Sequence, residues 1–363
     1  MGPLYASIAD YEAGARTALP AEIWNYLDTG SGASRTRRDN EYAFDDMPLI
    51  PRPLADVRGG HTRLELFGRT LAHPFLLAPV AYQRLFNVQG ETGVALAAAA
   101  QQTTLVVSSL ASEPLADIAQ TGVDWWFQLY WQADRERTLR LLRKAEQAGA
   151  QAIVFTVDAP VKQATLDLPL GIAAVNLEPA ASPLPLMPGA SAVFDHWMAA
   201  APRWEDLDWL RSQTRLPLLV KGLLEVSDAM RAANAGCDGL VVSNHGGRII
   251  DGTPTAFDVL KTFRQRLAPS LPLLFDSGIR SGQHAFKAIA AGAQAVLVGR
   301  PYLWGLAAAG PMGVAHVIRL LRDELEMTMA LTGHRSIDAI APTIDATIAS
   351  KITPAIGNNN ESQ

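Results

Sequence analysis

The chain has 363 residues, 48% hydrophobic and 18% charged, with a formal net charge of −5 at pH 7. That length suits one large α/β domain, and a core of that size needs no disulfide to hold it. Mild acidity without a basic cluster excludes a nucleic-acid footprint, and a single cysteine, Cys237, excludes an internal disulfide.

The N-terminal segment carries Asp10 and Glu12 and has no apolar h-region, so it does not read as a signal peptide. No later run reaches the ~18 apolar residues of a membrane span, and the expected location is cytoplasmic. Residues 1–74 form an extension with one predicted helix over 11–30 (YEAGARTALPAEIWNYLDTG). Apolar, β-rich runs then alternate with helical patterns. FLLAPV (75–80) precedes a helix over 90–102, TLVVSS (104–109) one over 112–122, and WWFQLYW (125–131) one over 134–149. QAIVFTVD (151–158) leads into a Pro- and Ala-rich insertion at 162–203, expected to be a lid, and then a helix over 204–214. PLLVKG (217–222), GLVVSNHGG (239–247), PLLFDSG (272–278) and AQAVLVGRP (293–301) follow, each before a helix, and the tail GNNNESQ is polar. Continuous apolar strands between amphipathic helices imply a parallel sheet covered on its faces. Eight such units predict a single closed (β/α)8 barrel of the TIM type spanning residues 1–363. The chain lacks the GxGxxG turn that an open dinucleotide-binding sheet requires.

Active sites of such barrels form at the C-terminal ends of the strands. The polar residues there include Ser108, Gln128, Tyr130, Thr156, Asp158, Lys221, Ser243, His245, Arg248, Asp276 and Arg300. The last two strands end in DSGIRSG and VGRP, where glycines, a helix start, Arg280 and Arg300 make an anion cradle. Among seven histidines only His245 sits at a strand end, flanked by glycines. An imidazole there suits abstraction of a hydroxyl proton near neutral pH. Asp158 is placed to hold its ring, and Arg248 to pair with a carboxylate. No metal is expected.

Taken together these runs resemble the FMN-dependent 2-hydroxy acid oxidase/dehydrogenase family, which includes lactate, glycolate and 4-hydroxymandelate oxidases. SNHGGRIIDGTP (243–254) and FDSGIRSGQHAFKAIAAGAQAVLVGRP (275–301) carry most of the likeness; APVAYQRLF (78–86), WFQLYW (126–131), FTVDAP (155–160) and VKG (220–222) match in order. The resemblance implies FMN as cofactor. It places Pro79, Val80 and Ala81 along the flavin, and Ser108, Gln128 and Thr156 at the edge of its ring. Lys221 would stand where reduction builds negative charge, and Ser243 would also touch the cofactor. Asp276, Ser277, Gly278, Ile279, Arg280, Gly299 and Arg300 would hold the ribityl chain and phosphate. His245 would take the substrate hydroxyl proton with Asp158 as its partner, and flavin N5 would take the α-hydrogen. Tyr26, Tyr130 and Arg248 would bind the acid. The implied product is a 2-oxo acid, with oxygen or another acceptor reoxidising the flavin, and the implied assembly is a homotetramer.

One departure stands out. The family places a second substrate arginine seven residues after the aspartate, where this chain has Thr165, or Ala164 if one residue is deleted; Lys162 is the nearest cation. Losing a charge-assisted hydrogen bond costs roughly 1.5–3 kcal/mol. The sequence therefore leaves room for an ester, amide or peptide-derived substrate, for a catalytically silent FMN-binding barrel, and for a phosphate-binding barrel without flavin.

Overall fold

The computed structural model describes residues 4–160, 167–179 and 189–340. Lys162, Ala164, Thr165 and the polar tail lie outside the described residues. Eight parallel strands close into a barrel: β3 (Phe75–Leu77), β4 (Thr104–Ser108), β5 (Trp125–Leu129), β6 (Ile153–Thr156), β7 (Leu218–Lys221), β8 (Gly239–Val242), β9 (Leu273–Phe275) and β10 (Ala295–Val298). Neighbours pair in chain order, and β10 returns to β3 with Val296 opposite Phe75. Every residue of these strands is buried. Helices cover one face and the packed barrel interior the other, which is why the strands read as unbroken apolar runs. The covering helices are α4 (Gly90–Ala100), α5 (Leu115–Ala119), α6 (Arg135–Gln147), α7 (Trp204–Gln213), α8 (Val226–Asn234), α9 (Ala256–Arg266), α10 (Gly282–Ala290) and α11 (Arg300–Thr332). α11 is long and apolar enough by composition to cross a membrane, but it is interrupted at Ala309 and Gly310 and half of its most apolar window is buried.

The extension differs from the expected single helix. α1 (Ile8–Ala18) stops before Pro20, and α2 (Ala21–Asp28) restarts with Pro20 at its N-cap. Proline has no N–H to continue a helix, yet its fixed φ suits a helix start. A third helix, α3 (Arg35–Tyr42), was not foreseen. Neither was a hairpin of β1 (Leu64–Leu66) and β2 (Arg69–Leu71). Phe67 at its turn meets the Trp126 ring near the start of β5, so the hairpin covers the N-terminal end of the barrel. Within the insertion, a six-residue π-helical turn (Ala192–Trp197) runs into a short 3-10 turn (Met198–Ala200).

Candidate active site

A cavity of about 690 Å³ opens at the C-terminal end of the barrel. Of the site residues singled out from the sequence, all but Ser243 line it. Ser243 is fully buried beneath the wall. Its hydroxyl accepts from Lys221 Nζ at 2.8 Å and from the His245 N–H at 3.0 Å, so it supports two wall residues and does not itself face the cavity.

β8 ends at Val242, and the chain then reverses through three residues in the left-handed region: His245 (φ 57°), Gly246 (φ 64°) and Gly247 (φ 74°). That conformation costs glycine nothing but costs histidine about 1 kcal/mol, so neighbours must hold it. They do so by accepting its N–H groups: Ser243 from His245, Ser277 from Gly246 at 3.0 Å, and Asn244 from Gly247 at 3.2 Å. The turn aims the imidazole inward. Its Nδ1 lies 2.9 Å from Asp158 Oδ1 and its Nε2 3.4 Å from the Tyr130 hydroxyl. An ionised carboxylate only accepts, so Nδ1 carries the proton and Nε2 presents its lone pair toward Tyr130. Asp158 in turn lies against the Cα of Gly222, where a Cβ would come within 2.4 Å of its Cγ. Burial, and then the nearby Asp158, push the Tyr130 phenol well above its ordinary value, keeping it neutral.

Beyond His245 the cavity wall becomes cationic. Lys221 is buried and paired with Asp276 at 3.2 Å. Arg280 is held by Glu41 at 2.6 Å and lies over the Trp304 ring. Arg300 has no acidic partner among the described residues; its contacts are the carbonyls of Leu27, Thr29 and Gly246. Burial first, then Arg280, Arg248 and Arg37, hold its guanidinium well below its ordinary value. Such a cluster of cations favours a bound anion. Arg248 likewise donates to the carbonyls of Tyr26, Leu27 and Thr29, and its guanidinium sits 5.1 Å over the Tyr26 ring. Both arginines therefore cap the C-terminal end of α2, where the helix dipole is negative. Burial raises the Tyr26 phenol.

The opposite wall leaves two buried polar atoms without a hydrogen-bond partner among the described residues, Gln128 Nε2 and Thr156 Oγ1. Ser108 Oγ at 3.3 Å and Ser109 N at 3.2 Å donate to Gln128 Oε1, so the amide is fixed with its donor end turned elsewhere. Orphans of this kind are costly unless a ligand meets them. β5 and β6 carry these atoms and lie across the closed barrel from β9 and β10 with their arginines. A ligand with an anion at one end and a flat polar-edged ring at the other fits that span, and FMN is such a molecule. The insertion closes this side through Leu168, Leu177, Val193, Trp197 and Met198. Trp131, two residues beyond β5, does not line the cavity. Its indole N–H donates to the Ala200 carbonyl at 3.0 Å and its ring packs edge-on to Trp209, so it anchors the insertion. Sequence reasoning also missed Asn40, Asp251 and Glu41, which attach the extension to the barrel loops, and Glu91. That buried carboxylate accepts from Gln83 N, Ser112 N and Ser112 Oγ, staples the loops after β3 and β4, and is raised by its burial.

A closed parallel barrel with an arginine cluster suited to phosphate and a carboxylate-held histidine fits a flavin-binding oxidoreductase of the (β/α)8 class. Residues 15–346 match the family model described as FMN-dependent dehydrogenase, and the chain belongs to that family. It is thus an FMN-dependent oxidoreductase. It is 47% identical to an L-lactate oxidase of Alicycliphilus denitrificans over 334 residues, 89% of this chain and 92% of that one. It is 43% identical to a 4-hydroxymandelate oxidase of Amycolatopsis orientalis over 344 residues, 92% and 96% of the two chains. Among solved structures, a mandelate oxidase with (S)-2-phenylpropionate superposes with a TM-score of 0.84 at 41% identity, covering 93% of this chain and 97% of that one.

Proposed function

We propose that the chain oxidises an (S)-2-hydroxy acid to the 2-oxo acid, with FMN as its electron acceptor and His245 as its base. The observation that carries this reading is His245 itself, strained into place with Nδ1 tied to Asp158 and Nε2 turned to the cavity beside Tyr130. A site that only binds has no use for a base so arranged. The substrate carboxylate sits near Arg248 with Tyr26 and Tyr130 around it, and the substrate hydroxyl reaches Nε2. His245 takes the hydroxyl proton, and Asp158 stabilises the imidazolium that results. Bound FMN supplies the two-electron acceptor that receives the α-hydrogen. Ser108, Gln128 and Thr156 would hold its ring edge, Lys221 would add a fixed cation beside it, and Arg280 and Arg300 would take its phosphate. The relatives named above are oxidases, which supports oxygen as the terminal acceptor. Resemblance to the family makes a cytoplasmic homotetramer the expected form, and light scattering and cell fractionation check it.

Anaerobic mixing with a panel of 2-hydroxy acids, followed by the visible flavin band, tests the reading. One acid is expected to bleach the band. His245→Ala is expected to slow bleaching by about 10²- to 10⁴-fold while retaining flavin. Readmitted air should restore the colour and yield peroxide. A yellow protein that no 2-hydroxy acid bleaches would overturn the proposal.

A further inference from the structure

We infer that the side chain of the acid is apolar and larger than methyl, and that the insertion between β6 and α7 selects it. The inference rests on the 2-hydroxy acid reading above. Every described residue that the insertion contributes to the cavity wall is apolar: Leu168, Leu177, Val193, Trp197 and Met198. Two of its charged residues, Glu178 and Asp195, face outward. Glu178 pairs with Arg140 at 2.6 Å, and Asp195 accepts from the Ser191 N–H at 2.7 Å.

The wall is also fixed in position. Val175 N donates to the Ala111 carbonyl at 3.3 Å, and Asn176 bonds both Leu115 N and the Glu113 carbonyl, which sets Leu177 beside the loop after β4. At its other end Ala200 is held by the Trp131 indole, which brings Trp197 and Met198 over the ends of β5 and β6. Tyr130 and Asp158 follow those two strands, so the apolar wall stands next to the reacting groups and across the barrel from the arginine cluster. Val193 and Met198 remain 44% and 42% exposed, apolar surface that a ligand side chain would remove from water. Glycolate has no side chain to offer this wall, and the methyl of lactate is too short to cover it. The only hydrogen-bonding group among the side chains of these five residues is the Trp197 indole N–H, a lone donor, so a carboxylate-bearing side chain would lose most of its hydration there without a cation to replace it.

The test is kcat/KM of the FMN-loaded enzyme across (S)-acids of increasing length: glycolate, lactate, 2-hydroxybutyrate, 2-hydroxyhexanoate and 2-hydroxyoctanoate, with malate as the polar control. Each added methylene is expected to raise kcat/KM about fourfold until the wall is covered, the fold-change of one buried methylene. Malate should fall below 2-hydroxybutyrate. Calorimetric binding of the 2-methyl-2-hydroxy acids made from lactate and the longer members, which have no α-hydrogen to lose, should follow the same order and so separates pocket fit from chemistry. Trp197→Ala is expected to cut the gain to less than about twofold per methylene. A series that is flat or falls with length in both assays, or malate equal to 2-hydroxybutyrate, overturns the inference while leaving the chemistry intact. If no acid of any length is oxidised or bound, the 2-hydroxy acid reading itself is what fails.

Discussion

Asn40→Ala tests whether the extension sets the position of the base. Asn40, on α3, and Asn244, next to His245, form a reciprocal pair of amides with both bonds at 2.8 Å. Asn40 Oδ1 also accepts from the Ala256 N–H at 3.2 Å. Asn244 spends its remaining capacity on Gly247 N and the Pro254 carbonyl. Both residues are buried. The pair therefore fixes residues 244–256 at both ends, and the strained His245 lies within that span. Alanine at position 40 removes three hydrogen bonds and leaves the Ala256 N–H and one side of the Asn244 amide unpaired. At about 1–3 kcal/mol per orphaned buried group, the loss is about 2–6 kcal/mol, part of it borne by the loop.

If the loop yields by about 1.4–2 kcal/mol, kcat falls about 10- to 30-fold, since each 1.4 kcal/mol is a factor of ten. KM should change less, because Arg248 is held separately by α2. The assay is kcat and KM per bound flavin, with thermal melting alongside. Asn40→Ala combined with Asn244→Ala should cost less than the sum of the single changes, because removing both partners leaves fewer orphans. An Asn40→Ala enzyme with a lowered melting temperature but an unchanged kcat would refute a positioning role and leave Asn40 a structural residue only.

Gly222→Ala should keep flavin and lose turnover, because a Cβ there strikes the Asp158 carboxyl and the φ of 104° disfavours any side chain; stopped-flow bleaching reads it. Asp158→Asn should lower kcat by about 10²- to 10⁴-fold with flavin retained, because the amide cannot stabilise the imidazolium. Burial pushes His73 down to about 4 from its ordinary 6.5. The folded state refuses a proton that the unfolded chain accepts, so stability from this residue is complete above pH 6.5 and falls as pH drops toward 4, by about 3 kcal/mol in all. His73→Gln should flatten denaturant midpoints measured across that window. Burial lifts the Cys237 thiol to about 12, so Ellman's reagent should react only after unfolding.

The barrel and its chemistry were legible in the sequence, and the extension was not. Each barrel strand is buried on both faces, so it shows as an apolar run, and the polar residue that ends it belongs to the site. Gln128, Thr156, Asp158 and His245 are found that way because strand ends and site coincide in this architecture. The reading failed where a role depends on partners distant in the chain. α3, RTRRDNEY, has no apolar stripe and no good helix signal. Asp251 stabilises its start by accepting from Ala33 N at 2.9 Å and Thr36 N at 2.8 Å across more than two hundred residues, and nothing local announces such a cap. The supporting role of Ser243 was hidden for a related reason. Its position at a strand end was visible, but the buried Lys221 ammonium that takes its hydroxyl lies on the neighbouring strand.

The same distant contacts divide the labour of the site. The barrel supplies the groups that do chemistry, and the extension fixes where they stand. Asn40 holds the His245 loop, Glu41 holds Arg280, and the carbonyl end of α2 holds both Arg248 and Arg300. Those two arginines form no ion pair with a carboxylate among the described residues; their direct partners are backbone carbonyls and, for Arg248, the Tyr26 ring. Dipoles restrain an arginine without neutralising it, and the positive potential stays available to an arriving phosphate or carboxylate. A carboxylate in place of the Leu27 carbonyl would pair with the arginines and compete with the anionic ligands. Loosening α2 should therefore weaken cofactor and substrate together, an effect that changing either arginine alone would not produce.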